Sequence, residues 1–282
     1  MVKLITTTAL LLAAIIGHAI TDAVPEAASD AEATSVIPPA LIQQVEAGNA
    51  ESAFFIGSAF ADGVMGIEQN LEQAKEWFLK SANMGYVHGM FETGKLLYQD
   101  KNYTEAKKWF NKAADAGHGE AFYRLSIYHI YEIGDQVFDC EKAYKLLNKA
   151  QMRDIKAAFN DHAWMLSTLP DDKCRNGQKA WKIYVDLQNL YSSMEPIPWA
   201  YLDTKAAVLA EISDFNEAIE VQSWIVEDFC DIEFSTEEVT FKQSVDSFTE
   251  LFSQKDDQMC FGAIKRLQSY VNREPWREVP KF

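Results

Sequence analysis

Between Ala74 and Ala82, Ala74, Trp77, Phe78 and Ala82 recur at spacings of three and four that place them on one face of a helix. Asn70 precedes this run as an expected N-cap, and Gly85 follows it, where a left-handed residue can end the helix. The phrase AKEWFLKSANMGYVHG (Ala74–Gly89) returns 32 residues later as AKKWFNKAADAGHGE (Ala106–Glu120). Ala106, Trp109, Phe110, Lys112 and Gly117 keep the register of Ala74, Trp77, Phe78, Lys80 and Gly85. A second helical face precedes the first phrase, made of Ala53, Ile56, Gly57 and Phe60, with Gly57 small enough to let a partner helix come close.

That small position recurs as Gly57, Gly94, Ser126, Ala163 and Ala206, and each is followed by an anchoring alanine: Ala74, Ala106, Ala143, Ala180 and Ala218. The separations are 17, 12, 17, 17 and 12 residues, so the pattern predicts five helix pairs with either a long loop or a tight turn. GIEQNLEQA (Gly66–Ala74) is a long loop; DKNYTEA (Asp100–Ala106) and ISDFNEA (Ile212–Ala218) are tight turns. An internal period of this size is the signature of a solenoid. The expected fold is therefore all-α, an α-solenoid of antiparallel helix pairs with C-terminal capping helices. After Glu227 the period is lost. Ser235 and Glu238 have capping-box spacing, and Val239, Phe241, Val245, Phe248 and Phe252 recur at helical intervals. DDQMCFGAIKRLQSYV supplies a last helix, as suits the atypical end unit of an array.

The long-loop version, IGSAFADGVMGIEQNLEQAKEWFLKSANMGY, resembles a Sel-one-like repeat. The matching positions are Ile56-Gly57, Phe60, Gly66-Ile67, Asn70, Gln73-Ala74, Trp77, Lys80-Ser81-Ala82 and Gly85. YLDTKAAVLAEISDFNEAIEVQ (Tyr201–Gln222) resembles a tetratricopeptide repeat, HAWMLSTLPDDKCRNGQKA (His162–Ala180) a divergent bacterial form of it, and RLQSYVNREPWRE the closing helix of bacterial arrays. The resemblance spans about Ala47 to Glu278 and implies a bacterial exported repeat protein. In such arrays the first helix of each pair lines the concave side. Stepping back three from each small position gives Phe54, Phe91, Tyr123, Asn160 and Asp203; stepping forward one gives Ser58, Lys95, Ile127, Trp164 and Ala207. Phe54, Phe91 and Tyr123 then form an aromatic ladder flanked by Lys95 and Arg124, with Asn160 and Trp164 continuing the groove. Aromatic area with flanking cations suits an extended peptide or short helix bearing carboxylates. The same rings also fit a purely structural role, packing between repeats.

Composition sharpens this picture. The chain has 282 residues, 48% of them hydrophobic, and a formal charge of −16. Asp203–Asp257 holds fifteen Asp or Glu against Lys205, Lys242 and Lys255, about −12 in that stretch. Such a surface repels phosphate and argues against nucleic acid as a partner. Lys3, the apolar stretch LITTTALLLAAIIGHAI, and small residues before Ala19 or Ala23 read as a cleavable secretory signal, residues 1–23. Residues 24–40, rich in Ala, Asp, Glu and Pro, read as a flexible spacer, 41–228 as the repeat array, and 229–282 as capping helices and tail. No later segment is apolar enough to span a membrane. Export, most simply to a bacterial periplasm, makes Cys140, Cys174, Cys230 and Cys260 candidates for pairing. Three connectivities, or four buried thiols, are open; the pairs nearest in sequence, Cys140–Cys174 and Cys230–Cys260, are the expectation.

Catalytic constellations are sparse. His88, His118, His129 and His162 form no HExxH or other close ligand spacing, the cysteines lack CxxC spacing, and no GxSxG, GxGxxG or phosphate-binding loop occurs. Glu227, Asp228, Asp231 and Glu233 do not match an EF-hand loop. Trp77, Trp109 and Trp224 read as core residues, and Trp199 as a staple at a helix start after PIP. No metal, cofactor or catalytic residue is expected. The resemblance implies an exported scaffold or adaptor that binds a protein or peptide in its groove. One alternative is a structural envelope-assembly protein docking a basic partner through the acidic C-terminal third. Another is a β-lactamase-like enzyme with Ser126 as nucleophile, although the within-repeat cysteine pairs of such proteins are lacking.

Overall fold

The computed structural model describes residues 37–191, 195–234, 238–255 and 257–280, the side chains of 238–240 excepted. The expected secretory signal, most of the spacer, and Ser235 lie outside these residues. The described chain is all-helical: α1 (Pro39–Glu46), α2 (Ala50–Asp62), α3 (Leu71–Asn83), α4 (Val87–Gln99), α5 (Tyr103–Asp115), α6 (Gly119–Ile130), α7 (Cys140–Gln151), α8 (Lys156–Thr168), α9 (Gly177–Asn189), α10 (Trp199–Glu211), α11 (Phe215–Cys230), α12 (Glu238–Ser253) and α13 (Gln258–Val271). The predicted pairs are α2/α3, α4/α5, α6/α7, α8/α9 and α10/α11, and each packs in turn on the next. Helix α1 begins inside the expected spacer. Pro39 suits a first helical position, and Val45 together with the preceding Ile37 is buried in the first pair's core.

The pairs close through one repeated contact. Every anchoring alanine, Ala74, Ala106, Ala143, Ala180 and Ala218, is fully buried, as is the side chain four residues later: Phe78, Phe110, Leu147, Tyr184 and Gln222. Where that later residue is phenylalanine, the small position on the first helix is glycine. A Cβ built on Gly57 would lie 2.7 Å from the Phe78 ring, and one on Gly94 would lie 2.7 Å from the Phe110 ring. Where it is Leu147, the small position admits Ser126. Side-chain volume is therefore balanced across these first three pairs, as close packing demands.

Capping follows the same alternation. Each second helix begins at an Asn or Asp whose side chain accepts from a backbone N–H three residues on: Asn70, Asn102, Asp139, Asn176 and Asp214. First helices α4, α6, α8 and α10 begin at Tyr86, His118, Ile155 and Pro198 without a side-chain cap. The tight turns carry a left-handed residue, Lys101 or Ser213. The next residue, Asn102 or Asp214, donates its N–H to Leu97 or Leu209 at 2.8 Å, closing the preceding helix.

The end unit is built differently. Helix α13 packs on α11, where the first helix of a sixth pair would stand, and α12 packs against α13 in turn, the three sharing one core. A tail then runs back to α8: the Glu278 N–H donates to the Thr168 carbonyl at 2.8 Å, and Arg277 donates to the Ser167 carbonyl at 3.0 Å. Disulfides join Cys140 to Cys174 and Cys230 to Cys260, with Cα–Cα separations of 6.0 and 5.7 Å. The first ties the start of α7 to the 3-10 turn Asp172–Cys174 ahead of α9; the second ties the end of α11 to α13.

Tryptophan placement departs from expectation. Trp77 and Trp109 are half-buried, each with a lysine over its ring, Lys80 at 4.9 Å and Lys112 at 3.7 Å. Trp224 is 52% exposed and is not a core residue. It lies six residues after its anchoring alanine, about 240° around the helix and opposite the packed face. Trp199 is also largely exposed, and its ring stacks on Phe229 at 5.1 Å, linking the start of α10 to the end of α11.

Gly94→Ala is expected to lower stability by about 1–2 kcal/mol in urea unfolding, overpacking outweighing the better helix propensity of alanine. Phe110→Leu in the same chain should recover part of that loss, a non-additivity that identifies the ring as the obstacle. Replacing either cysteine pair with serine should remove about 2–4 kcal/mol, read as a fall in melting temperature that reductant reproduces in the native chain.

Candidate functional site

The repeat positions the concave residues, but neighbouring loops decide which of them meet solvent. Phe54 of α2 is half-buried, 5.4 Å from Phe78, 5.3 Å from Tyr86 and 6.0 Å from His88, ring centre to ring centre. Phe91 of α4 is only 4% exposed, because the His118 ring stacks on it at 4.3 Å with the planes 16° apart. His118 is the residue that starts α6, so the loop between α5 and α6 closes over the second rung. His118 Nε2 lies 3.3 Å from His88 Nδ1, a hydrogen bond joining residues 30 apart in sequence. Phe54, His88, His118 and Phe91 thus form a continuous aromatic strip across the first three pairs.

This strip floors an open cleft of about 610 Å³, bordered also by Glu92, Glu120 and Arg153. Arg153, from the loop before α8, donates to the Gly117 carbonyl at 2.7 Å and the Lys149 carbonyl at 3.2 Å. Among the described residues no carboxylate pairs with it. Glu92 is held at 2.8 Å by Lys95, which stands 5.9 Å from the centre of the Phe91 ring. Of the seven groove residues expected from sequence, Phe54 and Phe91 line this cleft. Lys95 sits behind it on Glu92.

Tyr123, Arg124, Asn160 and Trp164 are drawn into a different structure. The Tyr123 hydroxyl donates to Asp161 at 2.9 Å, the Asn160 amide donates to the same carboxylate, and Thr204 donates to the Asn160 oxygen at 2.7 Å. Burial raises the Asp161 pKa, opposed by those two donors, and burial raises the Tyr123 pKa further than its nearby Asp161 does. Arg124 stands near Tyr98 and Tyr123, where its charge works against that rise. Arg266 of α13 pairs with Asp203 at 2.9 Å, both nearly buried, and lies 5.7 Å from the Trp164 ring centre. The tail completes the filling: Arg277 pairs with Glu211 at 2.8 Å, and Glu278 and Pro280 face Asp161, Trp164 and Ile130 across a void of about 110 Å³. Among the described residues, the concave face is therefore closed over α8 and α10 by the chain's own C-terminal residues and open over α2, α4 and α6.

His88 and Arg153 were not singled out by sequence. They reach the cleft from a repeat position that varies and from a loop, so neither carries a periodic signal. Ser126 is fully buried and its hydroxyl is spent on the Tyr123 carbonyl at 2.7 Å, a poor setting for a nucleophile. Among the described residues no three His, Cys, Asp or Glu side chains converge as a metal site. His162 is a core residue, stacked on Tyr144 at 4.6 Å and bonded to Gln151 at 3.2 Å.

The Sel1 repeat family matches residues 50–86, 89–118 and 119–150, so the chain carries Sel1 repeats over α2 to α7. No curated protein shows detectable similarity to the chain. Among solved structures, a Sel1 repeat protein from Oxalobacter formigenes is 18% identical with a TM-score of 0.55, covering 81% of this chain and 90% of that one. The protein c5321 of uropathogenic Escherichia coli, a protective antigen with an SLR fold, is 13% identical with a TM-score of 0.55, covering 86% of this chain and 57% of that one. These likenesses establish the fold.

Burial, and for His118 also the charge of His88, pulls the histidine pKa values down, to about 4 for His118 and about 3 for His162. Both stay neutral in the fold where an unfolded chain, with histidine near 6.5, takes up protons. Stability is therefore expected to fall as pH drops from about 6.5 toward 4, because the unfolded state binds more protons there. Imidazole NMR titration should show both rings unprotonated at pH 5.5, and His162→Gln should flatten the acid limb of the stability profile.

Proposed function

We propose that this Sel1-repeat chain is an exported scaffold that holds a segment of a protein partner in the open cleft over α2, α4 and α6, and that it acts by binding rather than by catalysis. The observation that carries the reading is the asymmetry of the concave face. Its C-terminal half is occupied by the tail and by a satisfied polar network, while its N-terminal half presents Phe54, His88 and His118 beside the Arg153 guanidinium. Aromatic faces supply contact area at low entropic cost, and a guanidinium free of carboxylates supplies a fixed donor for an acidic or carbonyl-bearing segment. Both disulfides suit an oxidising compartment and support export. Among the described residues no helix is long and apolar enough to cross a membrane. In this reading the polypeptide is organised as residues 1–23 for export, 24–40 as spacer, 41–228 as the binding array and 229–282 as its cap.

A second reading rests on Trp224. It stands exposed on α11 with Glu220, Glu227 and Asp228 at helical spacing around it, a face that would receive a basic segment. Salt separates the two readings, since exposed charge contacts are screened within about 10 Å at 0.1 M.

A photo-crosslinking side chain placed at Glu120, on the cleft rim, is expected to trap one defined partner from an extracellular or periplasmic fraction. Combining it with His88→Ala and Arg153→Glu should reduce that adduct about ten-fold, the scale of a lost charge-assisted contact. An adduct that survives those changes, or that forms instead from Glu227 and vanishes at high salt, would move the site to α11.

A further inference from the structure

A second large cavity lies at the other end of the molecule, bounded by α11, α12 and α13. It measures about 830 Å³, within the roughly 300–1,000 Å³ of small-ligand sites. Ile219, Phe241 and Val271 form its apolar walls, each half-buried and seated on the terminal core around Val226, Val245 and Ile264. Lys242 and Arg273 stand on its rim. Lys242 is informative there because the stretch 203–257 contains only Lys205, Lys242 and Lys255 as cations, and Arg273 reaches the same rim from the end of α13. Lys205 is paired with Glu217 at 2.7 Å, and Lys255 lies 4.2 Å from the Phe252 ring centre. Among the described residues Lys242 forms no ion pair, and Arg273 forms none either, donating to Asn216 at 2.9 Å beside the Phe215 ring. The acid on the same rim, Asp246, already accepts from the Gln268 amide at 2.7 Å.

We propose that this cleft binds a small apolar carboxylate, its hydrocarbon part between Ile219, Phe241 and Val271 and its carboxylate between Lys242 and Arg273. Burial of the hydrocarbon supplies the driving force, and the two cations select the head group. The site is separate from the α2–α4–α6 cleft and does not depend on its partner.

Octanoate, with octylammonium as the matched probe of opposite charge, tests the proposal by isothermal titration of the full exported chain. The surrounding stretch of about −12 would by itself favour the ammonium. The proposal requires the reverse: one octanoate per chain, bound about ten-fold more tightly than octylammonium. Lys242→Glu, a change at an exposed lysine with no ion pair among the described residues, should weaken octanoate about ten-fold while far-UV dichroism and melting temperature stay at wild-type values. Equal binding of the two probes, octanoate binding unchanged by Lys242→Glu, or no octanoate binding at millimolar concentration would each overturn it. Capture of a peptide ending in an apolar residue where octanoate fails would likewise assign the cleft to a peptide terminus.

Discussion

Everything else in this molecule depends on how closely two helices of a pair approach. An alanine on the second helix is sealed against a glycine, serine or alanine on the first, and the side chain one turn later fills the space that the small residue leaves. Helix pairs of this kind cannot bury their apolar faces alone; stacking makes one continuous core from several marginal units. The exchange of Gly57 with Phe78, Gly94 with Phe110 and Ser126 with Leu147 shows the same volume constraint met in different ways along one chain. Because the contact recurs, the first helices line up, and the concave face follows from their alignment.

Alignment alone does not leave that face open. Over α8 and α10 it is filled by groups that satisfy one another: Tyr123 with Asp161, Thr204 with Asn160, Arg266 with Asp203, and the tail arginine with Glu211. Buried polar groups are tolerable only when paired, so this half is organised as interior rather than as a surface awaiting contact. The end helix α13 is central to it. Standing where another first helix would stand, it brings Arg266 to Asp203 and releases the tail toward α8. The same helix, held to α11 by a disulfide, forms one wall of the terminal cleft. Over α2, α4 and α6 none of the described residues makes such a filling, and loop residues at the helix starts shape the opening instead.

The fold was legible in the chain to a large degree, because helical periodicity, small positions and caps are local or evenly repeated signals. Asn70 as a cap, Gly85 as a left-handed stop, the five pairs and the two turn lengths all follow from spacing along the sequence, whereas the cysteine pairs were the favoured one of three connectivities and the fold selects them. Trp224 shows where that reading fails: a large aromatic at the wrong phase of its helix faces water however apolar it is. Phe91 shows the converse, since a residue at the correct concave phase is roofed by His118 from the next loop.

What the sequence determined by itself was the array: the small positions and anchoring alanines that turn inward, where each second helix starts, and how many pairs are stacked. Those properties rest on interactions within a few turns of chain or on an exact repetition of them. Only the tertiary structure decided which part of the concave face is a site. That outcome rests on contacts without a period, His88 to His118 across 30 residues, Arg266 to Asp203 across 63, and Arg277 to Ser167 across 110. Such contacts form between residues that the fold brings together after the repeats have stacked, and nothing in the spacing of either partner announces the other.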